Sequence, residues 1–192
     1  TTNSDSLALV ALYNATDGDN WTNNTNWLSE ESLGDWYGVS TDGDGFVIGI
    51  NLYDNNLVGV IAPDLGTLSN LNSIMLSANQ LSGNIPPELG NLSNLQYLYF
   101  DINQLTGNIS PEIGDLSNLI SINLNDNQLT GNIPAELGSL SNIQDFNLGE
   151  NQLSGSIPLE LGNLSNLQEL LIYSNQLSGS IPPQLGNLTN LT

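Results

Sequence analysis

The stretch Leu119–Asn142, LISINLNDNQLTGNIPAELGSLSN, decides the fold, because the chain repeats it. Stepping by 24 residues returns the same pattern at Val47, Leu71, Leu95, Leu119, Ile143, Leu167 and Leu191, giving six full copies and the first two residues of a seventh. In the quoted copy Leu119, Ile122 and Leu124 hold the first, fourth and sixth places. The alternation Ile122-Asn123-Leu124 has period two and predicts a short strand with one buried face. Asn127 follows, matched by Asn55, Asn79, Asn103, Asn151 and Asn175. An Asn side chain carries two donors and an acceptor, so a column of them can satisfy the backbone groups of neighbouring loops. Gly131 and its equivalents Gly59, Gly83, Gly107, Gly155 and Gly179 fit a bend with positive φ or no room for a side chain. Ile133-Pro134 predicts an extended segment. Leu137 and Leu140 are expected to point inward, with Gly138 between them.

A unit this short cannot bury its apolar face alone, whereas stacked copies share one continuous core. The pattern LxxLxLxxNxLSGxIPxxLGxLxxL resembles the leucine-rich repeats of the plant extracellular type, over roughly three quarters of the chain. The resemblance implies an α/β solenoid, a right-handed superhelix. Short parallel strands would line its concave face, with turns or 3-10 segments on the convex side and a shorter second sheet on one flank. The expected division is an N-terminal helix-and-hairpin cap over 1–46 and the repeats over 47–192, in one continuous domain. Ala62-Pro63 and Ser110-Pro111 depart from the pattern by moving the proline one place. The family's caps often carry paired cysteines, and this chain has none.

Composition narrows the chemistry. The chain has 192 residues, 39% of them apolar, enough for one core. It has no Lys, Arg or His against 20 Asp and Glu, a formal net charge of −20. Phosphate neutralisation needs cations, so nucleic acid and anionic lipid are excluded as partners. No His- or Lys-assisted nucleophile, Cys nucleophile or His/Cys zinc site can be built. A carboxylate pair could hydrolyse glycosides, but no pattern marks a pocket, so the reading is not an enzyme. Charged residues make up only 10% of the chain, and Asn, Ser, Gln and Thr supply the remaining polarity. That composition suits an extracellular or cell-surface protein. No apolar run is long enough to span a membrane. No signal peptide heads the chain, so it reads as a mature or excised form.

Thr1–Ser4 are expected to fray. Ser4 or Asp5 caps a helix to about Ala15, with Leu7, Val10, Ala11 and Leu12 as its apolar stripe. Asp17-Gly18-Asp19-Asn20 ends it in a turn. Trp21, Trp27 and Trp36 suit either a sugar platform or a seal over the first open end. The seal is expected, because a cap must cover a whole apolar cross-section. The cap stretch also resembles the N-terminal cap of the same family. Thr41-Asp42-Gly43-Asp44-Gly45 reads as a hairpin turn, with too few spaced carboxylates for a calcium loop. Leu191-Thr192 opens a copy that stops, which suggests truncation or end-to-end association through the uncapped last repeat. Asn-x-Ser/Thr sequons stand at Asn14, Asn20, Asn23, Asn91, Asn108, Asn163, Asn187 and Asn190.

Period two places the third, fifth, seventh and eighth residues of each copy outward on the concave face. An apolar and aromatic cluster results, of Met75, Tyr97, Tyr99 and Ile102 with Tyr53 one strand further, and tyrosine suits recognition surfaces. Asp126 and Glu150 are expected to be neighbours in one column, and Asp145 and Glu169 in another. No cation separates these like charges, which invites a basic partner, Ca²⁺ or ordinary counterions. Asp101 and Tyr173 complete the candidate ligand-binding set. No metal or other cofactor is expected beyond that Ca²⁺ possibility. A second candidate face lies on the LSG-x-I flank. Ser82, Thr106, Thr130, Ser154 and Ser178 form one row, and Asn84, Asn108, Asn132, Ser156 and Ser180 another. Flat uncharged rows at strand spacing suit ice, and some plant-type members of the family bind it. The expected function is non-catalytic recognition of a protein or peptide on the concave sheet, the acidic columns favouring a basic one. The alternatives are ice binding by the flank and cell-wall glycan binding.

Overall fold

The computed structural model describes residues 4–192. The expected fraying of Thr1–Asn3 lies outside the described residues, while Ser4 opens helix α1, Ser4–Ala15. The strands are β1 Val39–Thr41, β2 Val47–Asn51, β3 Val58–Val60, β4 Ser73–Met75, β5 Gln80–Gly83, β6 Tyr97–Tyr99, β7 Gln104–Leu105, β8 Ser121–Asn123, β9 Asp145–Asn147, β10 Ser154–Ser156, β11 Glu169–Leu171 and β12 Gln176–Ser178. One sheet runs β1-β2-β4-β6-β8-β9-β11, and the flank carries β3-β5-β7 and β10-β12. Single bridges, Asn108 with Thr130 and Asn132 with Ser154, lie between the two flank sheets.

The main sheet is parallel after the antiparallel β1–β2 hairpin, and its register equals the repeat. Ile50, Ile74, Leu98, Ile122, Phe146 and Leu170 therefore stack in one inward column, buried as far as Phe146. Leu52, Leu76, Phe100, Leu124 and Leu148 form the next. Burying one such side chain is worth roughly 2 kcal/mol, and only the adjoining copies can supply the cover. Each copy returns through a 3-10 turn, at Pro63–Thr67, Pro87–Asn91, Pro111–Asp115, Ala135–Ser139, Leu159–Asn163 and Pro183–Asn187. The residue before each turn is extended, as the Ile-Pro step predicts, Pro134 having φ −63 and ψ 135.

The Asn column joins the copies. Asn103 accepts from the Leu81 amide at 2.9 Å and donates to the carbonyls of Leu76 and Phe100 at 3.0 and 3.1 Å. Asn127, Asn151 and Asn175 repeat the arrangement. Gly131 and its equivalents all have positive φ, as the expected bend requires.

The cap differs from expectation at α1. Leu7 is 60% exposed, and the buried face is Asp5, Ala8, Leu9, Leu12 and Tyr13. Asp5 sets that rotation, because its carboxylate turns inward and accepts from the Val47 amide at 2.9 Å. It pins the helix to the start of β2, and both Ser4 and Asp5 lie within the helix. Trp21, Trp27 and Trp36 are 4–7% exposed and pack on Tyr13 in a continuous aromatic run. They seal the end, which leaves no ring face for a sugar. The predicted hairpin turn is present, with the Asp42 carboxylate accepting from the amides of Asp44 and Phe46.

Tyr13 donates its hydroxyl to Asp19 at 2.8 Å. Burial first, then the bond to Asp19, raises this phenol above the ordinary tyrosine value. The folded cap thus holds the proton more tightly than the unfolded chain does. Its stabilisation is complete below about pH 10 and is lost as pH rises through the folded value. Asp19→Asn is expected to lower that value in an ultraviolet titration; an unmoved midpoint would leave burial and the Asp17 charge as the causes.

Candidate ligand-binding face

After β2, each concave strand is only three residues long, covering the third to fifth places of its copy. The third and fifth side chains face outward, as period two predicts. The register sets Ser73 beside Tyr97, Met75 beside Tyr99, and Tyr99 beside Asn123. Tyr97 and Tyr99 project from the same strand and meet edge to face, centroids 6.2 Å apart. With Met75 they are half-buried rather than fully solvent-facing, because the rings cover one another and the neighbouring strands. Ser121, beside Tyr97, is buried. Tyr53 is 59% exposed and Ile102 49% exposed.

The eighth place corrects the period-two reading. The chain has left the strand by then, and Asp54, Ala78, Ile102, Asp126, Glu150 and Ser174 all adopt left-handed backbone, φ 49 to 56. These side chains sit on a row of turns along one rim. The seventh place also varies with context. Ser77 is buried and donates to the Asp101 carboxylate. Tyr173 reaches across two copies, donating its hydroxyl to Asn125 Oδ1 at 3.0 Å. Its ring lies over Gly149, where an added Cβ would come within 2.7 Å of it. Tyr173 is therefore a brace on the concave surface, and Gly149 is the space it needs.

The acidic residues adjoin as expected. Asp145 pairs in register with Glu169, and both are exposed. Asp126 and Glu150 stack on adjacent turns, the Asn127 amide donating to the Glu150 carbonyl at 3.2 Å. The face thus divides into an aromatic part toward the cap and an acidic part beyond it. Among the described residues no group of three or more carboxylates converges as metal ligands would.

On the flank, the hydroxyls of Ser82, Ser154 and Ser178 turn back to the carbonyls of Gly59, Gly131 and Gly155. Thr130 donates to Asn108 at 3.4 Å, and Thr106 is exposed. The side chains of Asn84, Asn108 and Asn132 lie over Gly107, Gly131 and Gly155 of the following copies. The hydroxyls of Ser82, Ser154 and Ser178 are thus bonded to neighbouring copies, whereas Asn84, Asn108, Asn132 and Thr106 are exposed. Two features escaped sequence reasoning. One is the strain at Ile102, signalled by a β-branched residue where other copies carry Asp, Ala, Glu or Ser. The other is Tyr37, which reaches the concave face only because β1 folds back on β2.

A stacked parallel sheet with an Asn ladder and an aromatic end seal defines a repeat solenoid. The leucine-rich repeat model matches residues 70–92, 94–116, 118–140, 142–164 and 166–188. The chain belongs to the leucine-rich repeat family, with repeats of the plant extracellular type. It is similar to the ectodomain of the receptor kinase GASSHO1/SCHENGEN3 of Arabidopsis thaliana, solved with CASPARIAN STRIP INTEGRITY FACTOR 2. Identity is 38% and the TM-score 0.92, over 98% of this chain and 23% of that one. The Arabidopsis HAESA ectodomain, solved with an extended IDA peptide hormone, is 33% identical with TM-score 0.88, over 98% of this chain and 32% of that one. The BIR2 ectodomain of Arabidopsis thaliana is 33% identical with TM-score 0.78, over 91% of this chain and 94% of that one. The chain thus spans a third or less of the first two and nearly all of the last. No curated protein sequence matches it. Among the described residues no helix is long and apolar enough to cross a membrane.

Proposed function

We propose that this chain is a non-catalytic extracellular recognition module that holds a protein or peptide over Met75, Tyr97, Tyr99 and Ile102. The observation that carries this reading is Ile102. It is β-branched, left-handed at φ 55, and half exposed. That backbone costs an isoleucine about 1–2 kcal/mol, and so exposed a side chain recovers little of it by packing. Strain and exposure together, beside two half-exposed tyrosines, fit a surface completed by a partner. The complexes of the similar GASSHO1 and HAESA ectodomains with their partners support the same class of ligand. Basic side chains of the partner would sit over the Asp145–Glu169 and Asp126–Glu150 columns, since the chain has no cation of its own. The carboxylates adjoin only in pairs, which favours such side chains over calcium.

The test is selection of peptides from a display library against the immobilised chain, followed by affinity and unfolding measurements on two variants. Tyr99→Ala is expected to abolish binding with little change in melting. Ile102→Asn is expected to gain about 1 kcal/mol of stability, because Asn tolerates the left-handed region, while binding weakens. Unchanged affinity in both would move the site off this face.

A further inference from the structure

At the cap end of the concave face, Tyr37, Gly38, Val39, Ser40, Asn51 and Tyr53 line an open groove where β1 turns onto β2. Both tyrosines are substantially exposed, Tyr37 at 40% and Tyr53 at 59%. Neither phenol oxygen has a hydrogen-bond partner among the described residues. The Tyr37 backbone amide and carbonyl make its structural hydrogen bonds, to Thr25 and from Trp27. Asn51 accepts from the Tyr53 amide at 3.2 Å, and its NH2 has no hydrogen-bond partner among the described residues. The Ser40 hydroxyl is likewise exposed without a partner among them. No carboxylate lines the groove, although grooves on the flank include Glu136 and Glu160.

From this arrangement we infer that the groove is a subsite for a neutral saccharide, separate from the peptide surface over Tyr97 and Tyr99. Two exposed aromatic faces give the flat CH side of a pyranose something to stack on. The Asn51 amide, the Ser40 hydroxyl and two phenols supply donors and acceptors for its hydroxyls. The net charge of −20 repels anionic glycans, and a groove without carboxylates offers nothing to cationic ones. A peptide side chain would find no closed apolar pocket, since the one aliphatic lining residue, Val39, is buried.

The test is titration of the isotope-labelled chain with cellopentaose, laminaripentaose and an oligogalacturonide, read by tyrosine-ring NMR and calorimetry. Signals of Tyr37 and Tyr53 are expected to move with at least one neutral oligosaccharide at millimolar concentration and not with the oligogalacturonide. Tyr37→Ala weakens that binding about tenfold, and Tyr37→Phe keeps most of it. Tyr99→Ala leaves it unchanged, which separates this subsite from the peptide surface whether or not that surface proves real. The inference is overturned if no neutral sugar shifts these rings, or if the shifts persist in Tyr37→Ala. It is also overturned if a proline-rich peptide moves the same rings and the sugars do not.

Discussion

Asn127→Ala is expected to lower the unfolding free energy by about 3 kcal/mol, a large part of what a small domain possesses. Asn127 is 8% exposed. Its Oδ1 accepts from the Leu105 amide at 2.9 Å, and its Nδ2 donates to the carbonyls of Phe100, Leu124 and Asn125 at 3.0, 3.2 and 3.3 Å. Alanine leaves the Leu105 amide without a partner in a place water does not reach, and leaves the Phe100 carbonyl with Asn103 alone. The orphaned amide costs about 1–3 kcal/mol, and the lost bonds to the three carbonyls add to it. Because a solenoid is held copy to copy, the loss falls on the interface between the third and fourth copies. Urea unfolding is expected to show a lower midpoint and a shallower slope, as the two halves begin to unfold separately. Asn127→Asp sharpens the point. A carboxylate keeps the acceptor, removes both donors and buries a charge in a chain without a cation. That variant is expected to be weaker than Asn127→Ala at neutral pH and to recover as acid protonates it, since burial raises a carboxyl's pKa. Gln128→Ala, at an exposed position one residue on, serves as the control. A loss under about 1 kcal/mol in Asn127→Ala would mean the ladder decorates the stack rather than holding it.

The ladder was legible in the sequence because its partners repeat at one fixed step, so a single copy predicts them all. The same step located the glycine bend, the inward leucines and the acidic columns. The reading weakened wherever it relied on a local period. Period two places residues along a strand but carries no signal for where a three-residue strand stops, so Ile102 and Asp126 were placed on a surface they reach from a turn. Helical period fared no better in α1, where apolar residues surround the axis and the inward face is chosen by Asp5 bonding to Val47, 42 positions away. The Tyr173–Asn125 brace joins residues 48 apart and depends on Gly149 being empty. No pattern within one copy contains it. The candidate site was thus legible as a list of residues and illegible as a division of labour among them.

Gly138 yields the other large effect, for a reason of space rather than conformation. It lies in the convex turn Ala135–Ser139, and its φ is outside the left-handed range. A Cβ placed there would come 2.5 Å from the Glu160 carbonyl oxygen and 2.6 Å from the Glu160 Cβ. Gly66, Gly90, Gly114 and Gly162 face the following turn in the same way. Backbone cannot rotate aside as a flexible side chain can, so one methyl must push two stacked turns apart. Gly138→Ala is therefore expected to destabilise by about 3 kcal/mol, the upper end of overpacking, although alanine is ordinarily the better residue in such a turn. Gly186 provides the internal contrast. It holds the equivalent place in the sixth copy, and nothing lies within 4 Å of its added Cβ in this 192-residue chain. Gly186→Ala is expected to be neutral or to stabilise by about 0.5 kcal/mol, through the unfolded chain alone. Thermal melts of the two variants read the difference directly, and similar melts would show that the turns are not held at this spacing. The consequence reaches the concave face. Close turns on the convex side keep the copies nearly parallel there, and a wedge at Gly138 would change the curvature that sets Tyr99, Ile102 and the acidic columns relative to one another. Any Gly138→Ala protein that still folds is therefore expected to bind a selected peptide more weakly, while Gly186→Ala binds it as before.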